Sequence, residues 1–203
     1  MVMSTTLWLA RLPRPLTEEE AARLLARMPP DRRARLGAAP EARREPLCAY
    51  GLLALALRRR EGWRDLPEIA LGERGKPYFP TRPGLHFSLS HTEGAVLAAL
   101  SDRPVGADIQ RVRPVRPEAM RRIAGTEDPE AFFRCWVRRE ARSKRTGQGM
   151  ASMLRAEPPM GPEERYQAVE AFPGYAAGVS YAPPGPLEPP VRLGLEELIG
   201  GLS

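Results

Sequence analysis

Apolar residues fall along this chain in short blocks, each with a recognisable period. Residues 7–12, Leu-Trp-Leu-Ala-Arg-Leu, predict an opening strand. Thr17-Glu18-Glu19-Glu20 has the spacing of a capping box, in which a hydroxyl and a glutamate satisfy each other's free backbone N–H groups, and predicts a helix over 21–28. Pro29-Pro30 stops it, and residues 31–36 form a basic turn of helix or loop. Pro46 suits the first turn of a longer helix reaching about Arg60, with Leu47, Tyr50, Leu53, Ala54 and Leu57 on one face. Between 66 and 100 the pieces shorten, with strands at 85–89 and 95–100 joined by the turn His91-Thr92-Glu93-Gly94. A third strand covers 105–110. Helices follow over 117–123 and 129–146, the second closed by Gly147 and Gly149. Residues 166–169 and 174–181 predict strands before a proline-rich loop and a short tail over 193–202. No repeat of 20 to 50 residues is present, and strands mixed with segregated helices give an α+β fold.

Composition narrows the class. A chain of 203 residues can bury a full core in one large domain or two small ones. Its two cysteines, Cys48 and Cys135, have neither CxxC partners nor ligand-spaced histidines, which argues for a reducing cytoplasm and against a zinc site. No signal-peptide pattern opens the chain and no 18-residue apolar run crosses a membrane. The net charge of +6 favours an anionic partner: nucleic acid, a phosphorylated small molecule or an acidic protein. The 23 prolines and the absence of asparagine fit either heat adaptation or a GC-rich genome.

Only two of the 31 basic residues are lysines, Lys76 and Lys144. An ammonium is a compact point charge suited to a single oxygen, whereas a guanidinium is a wide planar fork, so these two exceptions mark candidate sites. Asp108 and Gln110 lie two apart on a strand and share a face. Glu140 and Lys144 lie four apart on a helix and also share a face. If that helix crosses the strand, Asp108, Gln110 and Glu140 converge as hard oxygen donors for Mg²⁺, with Lys144 free to neutralise phosphate. The alternative is an ordinary i,i+4 ion pair beside an exposed strand end. Ser90-His91 invites a hydrolase triad with Asp108. Neighbours on a strand point to opposite faces, however, and no GxSxG elbow is present.

Taken in order, Gly75-Lys76-Pro77, Phe87-Ser88-Leu89-Ser90-His91-Thr92, Val105-Gly106-Ala107-Asp108-Ile109-Gln110 and the run from Trp136 through Arg139-Glu140-Ala141 and Lys144 to Gly149 resemble the signature of the 4'-phosphopantetheinyl transferase superfamily. The likeness is to its larger, surfactin-synthetase-activating type, and it extends across nearly the whole chain. The resemblance implies two similar lobes with pseudo-twofold symmetry, residues 1–101 and 102–203, each a small antiparallel sheet packed on helices, with coenzyme A and Mg²⁺ in the cleft between them. It implies transfer of the phosphopantetheine arm to a serine of an acidic acyl or peptidyl carrier protein, by a monomer acting in the cytoplasm without nucleic acid or membrane.

Carried over position by position, the resemblance makes Asp108, Gln110 and Glu140 the metal ligands, Gln110 standing where a third acid is common. Lys144 meets the pyrophosphate and Glu140 is the base. Lys76 and Pro77 frame the adenine, Ser90 and His91 meet the adenosine and its 3'-phosphate, and Arg32, Arg35 and Arg44 supply positive charge to that phosphate. Arg139 replaces the usual lysine, and Ser88 a frequent asparagine. Arg142 and Ser143 stand where an aromatic and an apolar residue are usual, an exchange expected to weaken helix packing. The rival readings are a weakened relative that binds coenzyme A or carrier protein, and a basic nucleic-acid-binding protein using Arg58-Arg59-Arg60. Only six per cent of residues are aromatic, which leaves the latter little base stacking.

Overall fold

The computed structural model describes residues 4–34, 36, 40–149, 151 and 157–202, with 40–42 given by backbone alone. Its α+β architecture is built on two main sheets. The first contains β1 (Thr5–Arg11), β4 (His86–Thr92), β5 (Ala95–Ser101) and β9 (Val191–Leu193) in the order β4-β5-β1-β9. The second contains β6 (Gly106–Arg111), β7 (Arg165–Val169) and β8 (Tyr175–Tyr181) in the order β6-β8-β7. A small hairpin, β2 (Ala70–Leu71) with β3 (Pro77–Tyr78), carries Lys76 just ahead of its second strand.

Alternation along the strands sorts the side chains into layers. Leu7, Leu9, Leu97 and Ala99 of the first sheet meet Ala107, Ile109, Ala177 and Val179 of the second in one buried cluster. On its other face the first sheet packs Trp8, Ala10, Val96 and Ala98 against α1 (Glu18–Arg27), α3 (Pro40–Glu61) and the C-terminal α6 (Leu195–Gly200). The outer face of the second sheet is covered by α5 (Pro129–Thr146), beside the shorter α4 (Pro117–Ala124). The four-residue α2 (Pro30–Arg33) links α1 to α3. Strand β9 pairs in parallel with β1, so residues after the second sheet return to complete the first.

The capping box at Thr17 and Glu20 forms as the sequence predicts. Two expectations are revised. Pro46 lies inside α3 rather than at its start. The hairpin turn after β4 contains only Glu93 and Gly94, so Ser90, His91 and Thr92 are strand residues. The reason lies beside them. Main-chain N–H groups of Ala107, Ile109 and Arg111, on the free edge of β6, donate to the hydroxyls of Ser88, Ser90 and Thr92 at 3.0, 3.2 and 3.2 Å. Alternate residues of β4 thus satisfy alternate residues of β6, a side-chain ladder where a neighbouring strand would otherwise bond.

At its other end β6 touches α5 directly. A Cβ on Gly106 would fall 2.0 Å from the Ala141 carbonyl oxygen and 2.2 Å from the Arg145 nitrogen, both main-chain atoms that cannot swing away. Beside β8, α5 is held by charge. Buried Arg142 donates to both carboxylate oxygens of Glu164 at 2.9 and 3.0 Å and to Glu157 at 2.8 Å, while Ser180 donates to Glu164 at 2.8 Å. Arg138 and Arg139 also donate to Glu157. Arg142 therefore does not loosen the helix, because two acids, Glu157 and Glu164, pair with it. Arg58, Arg59 and Arg60 are likewise engaged within the chain: Arg58 on the Gly201 carbonyl, Arg59 over the Trp8 ring and Arg60 on Asp102.

Gly106→Ala is expected to destabilise the protein by about 3 kcal/mol or more through backbone displacement. Ser88→Ala, which leaves only the Ala107 N–H unpaired, should cost about 1–2 kcal/mol; urea unfolding of the two variants checks the order. A second expectation concerns acid. Burial pushes the Glu157 carboxyl up, but the bonds from Arg138 and Arg142 outweigh it and hold its pKa at about 2, below the ordinary 4.5. Its contribution to stability is complete above pH 4.5 and is lost as pH falls towards 2. The urea midpoint of Glu157→Gln should therefore fall less than wild type between about pH 5 and pH 3.

Candidate functional site

The site is assembled where β6 runs beneath α5. On β6, Ala107 and Ile109 point into the layer between the sheets, which turns Asp108 and Gln110 towards the helix. Helix α5 starts at Asp128, whose carboxylate accepts the N–H groups of Glu130 and Ala131, and ends at Gly147 with φ +71°, a left-handed stop that glycine adopts without strain. Between these caps Trp136, Glu140 and Lys144 recur every fourth residue and share the face over β6.

Asp108 has no exposed surface. Its Oδ1 accepts Lys144 Nζ at 2.8 Å and the Ser90 hydroxyl at 2.5 Å. Its Oδ2 accepts Gln110 Nε2 at 3.2 Å, and the same amide reaches Glu140 Oε2 at 3.3 Å. Trp136 Nε1 donates to that Glu140 oxygen at 2.8 Å. The structure thus brings Asp108, Gln110, Glu140, Lys144 and Ser90 together. Burial first, and then the Asp108 carboxylate, raise the pKa of Glu140, although Lys144 and the Trp136 N–H oppose the shift.

Lys144 and Glu140 line a cavity of about 290 Å³ together with Arg74, Lys76, Pro77 and Ser143. The Lys76 ammonium is turned onto two main-chain carbonyls, those of Arg145 at 2.6 Å and Val105 at 3.2 Å. It ties the β2–β3 hairpin to the end of α5 and the start of β6. Burial lowers its pKa to about 8. A second cavity, of about 660 Å³, is lined by Arg44 and His91 with Leu16, Leu25, Pro46 and Thr92. His91 projects from β4 on the side opposite Ser90, as strand alternation requires, so no Ser-His-Asp triad exists. Packing around the ring and then the nearby Lys144 charge lower the His91 pKa.

The basic residues of the first half separate. Arg44 pairs with Glu45 through Nε at 3.0 Å and lines the His91 cavity. Arg32 is buried and directs Nη2 to the Ile69 carbonyl at 2.8 Å, lining neither of these cavities. Arg35 lies outside the described residues. Among the described residues no group of three or more histidine, cysteine, aspartate or glutamate side chains is gathered for a metal ion. Two carboxylates with an amide are nonetheless a hard oxygen-donor set, and the Gln110 N–H group bridging Asp108 and Glu140 marks a place between them that calls for positive charge. That set fits Mg²⁺.

Three participants, Trp136, Ser88 and Thr92, were not assigned roles from sequence. Trp136 orients Glu140, a pairing legible only as an i,i+4 spacing. Ser88 and Thr92 flank Ser90 in the β6 ladder, and their signal is a period-two run of hydroxyls.

No family model matches the chain. Among curated proteins it is similar to the 4'-phosphopantetheinyl transferase Sfp of Bacillus subtilis, 27% identical over 158 residues, or 70% of each chain. It is 37% identical over 99 residues to the 4'-phosphopantetheinyl transferase AcpT of Salmonella typhi, covering 40% of this chain and 50% of that one. It is 34% identical over 89 residues, 38% of each chain, to the 4'-phosphopantetheinyl transferase psf-1 of Bacillus pumilus. The likeness to several such enzymes agrees with the four ordered motifs and with a site built from them, and it supports a place in the 4'-phosphopantetheinyl transferase superfamily near the Sfp type.

Proposed function

We propose that this protein transfers the 4'-phosphopantetheine arm of coenzyme A to a serine of an acyl or peptidyl carrier protein in the cytoplasm, as a monomer and with Mg²⁺. The observation that carries the reading is the convergence of Asp108, Glu140 and Lys144, from two different motifs, beside a cavity that Lys76 and Pro77 of a third motif also line. The layers support a two-lobed reading, α3 backing the first sheet and α5 the second, with the active site in the cleft between lobes that divide near residue 101, although β9 and α6 return from the second half, 102–203, to the first lobe.

In this reading the carrier serine oxygen bonds to the β-phosphorus as the bond to the leaving adenosine 3',5'-bisphosphate breaks. Positioning and charge neutralisation carry most of such a reaction. Glu140 takes the serine proton. Lys144 neutralises pyrophosphate oxygens. Asp108, Gln110 and Glu140 would hold Mg²⁺, which when bound supplies electrostatic stabilisation to the phosphate oxygens. Pro77 and the stem of Lys76 border the adenine. His91 and Arg44 supply the adenosine and 3'-phosphate end, together with Arg35, which lies outside the described residues, whereas Arg32 is turned onto the Ile69 carbonyl away from both cavities. Ser90 adjoins that end beside His91, with its hydroxyl turned inward onto Asp108.

Incubating the protein with coenzyme A, Mg²⁺ and apo carrier proteins of several types should give one phosphopantetheine mass gain by intact-protein mass spectrometry. Absence of the gain on every carrier rejects the reading. Asp108→Ala and Glu140→Gln should each lower transfer by on the order of 100-fold or more with the fold retained; near-normal rates in either reject the assigned site. Lys144→Arg should lower kcat by roughly 10-fold, since the wider fork must fit beside Asp108 and its neighbours. An unchanged kcat would remove any special role for an ammonium there.

A further inference from the structure

The Ser90 side chain is 4% exposed, and its hydroxyl is engaged on both sides. It accepts the Ile109 N–H at 3.2 Å and donates to Asp108 Oδ1 at 2.5 Å. A hydroxyl has a single hydrogen, and here that hydrogen lies on a carboxylate, so it is not available to an oxygen of a bound phosphate. We propose that Ser90 is a positioning residue that fixes the rotation of the Asp108 carboxylate for the transfer reaction. The proposal rests on the function read above and assigns the Ser90 side chain a partner inside the protein.

The two oxygens of Asp108 are treated differently. Oδ1 is held by Ser90 and Lys144, one donor from each side of the site. Oδ2 is left facing Glu140 Oε2 across the Gln110 amide, the pair of oxygens on which a cation would sit. Lys144 alone cannot fix this choice, because an ammonium on a four-carbon stem follows whichever oxygen is presented. The serine can. Its oxygen is anchored by the Ile109 N–H, and the adjoining bonds of Ser88 and Thr92 to β6 keep the two strands in register. Removing the hydroxyl leaves the strands joined and frees the carboxylate to turn.

The test compares Ser90→Ala and the near-isosteric Ser90→Cys, whose S–H is a weak donor, with Ser88→Ala, which removes a neighbouring rung without touching Asp108. Steady-state transfer to a carrier protein gives kcat and KM for coenzyme A. Titration of the protein alone with Mn²⁺, followed by electron paramagnetic resonance, gives cation affinity without turnover. Loss of a hydrogen bond to a charged group predicts that both Ser90 variants lose about 10-fold in kcat and bind Mn²⁺ about 10-fold more weakly. KM for coenzyme A should stay within about twofold. Ser88→Ala should bind Mn²⁺ like wild type. A raised KM with kcat and Mn²⁺ affinity preserved would mean that the hydroxyl meets substrate, and would overturn the proposal. So would equal weakening of Mn²⁺ binding in Ser88→Ala, which would reduce Ser90 to one more rung. If wild type modifies no carrier, the transferase reading fails while the Mn²⁺ titrations still decide the part played by Ser90.

Discussion

A carboxylate without exposed surface has to be surrounded by donors, and Asp108 is such a group. In water its charge is solvated from every side; inside the protein each lost water must be replaced by a fixed N–H, O–H or cation. Ser90, Lys144 and Gln110 are those replacements, and each comes from a position that the fold must hold to within a hydrogen-bond length. Lys144 reaches Asp108 because α5 lies directly on β6, which the bare backbone of Gly106 permits. Ser90 reaches it because β4 runs beside the free edge of β6. One buried charge therefore sets the spacing of two sheets and a helix.

Much of this was legible in the sequence because its signals are local. The capping box at Thr17, the glycine stop at Gly147 and the two-residue step from Asp108 to Gln110 need only neighbours to take effect. Glu140 and Lys144 share a face for the same reason. What the sequence concealed was pairing between distant residues. Arg142 looked like a flaw in the helix because Glu157 and Glu164, which compensate it, lie 15 and 22 residues farther along and carry no pattern of their own. Ser90 reads in sequence as a contact to the adenosine end because the β6 edge that claims its hydroxyl is a separate strand. Lys76 stands out by composition, yet the carbonyls of Val105 and Arg145 that receive its charge belong to main chain and leave no mark in a sequence.

The arginine-rich composition also takes on a different meaning. A net charge of +6 pointed towards an anionic partner, but many guanidiniums are directed inward, onto helix ends, loop carbonyls and buried acids. A planar fork can bond several oxygens at once, which makes it an efficient tie between segments that share no sheet or helix. Where a compact cation was needed beside Asp108, the chain used lysine instead.

The parallel pairing of β9 with β1 bears on how the chain acquires its shape. All residues of the second sheet lie between these two strands in sequence, so a polypeptide emerging in order from the ribosome exposes the flank of β1 until some 180 residues later. The first sheet can begin early but can close only last. Such long-range closure is slow, since the intervening loop must be ordered before the contact is made. The chain thus folds around an unfinished edge, and the small helix α6, arriving with β9, is the piece that seals it.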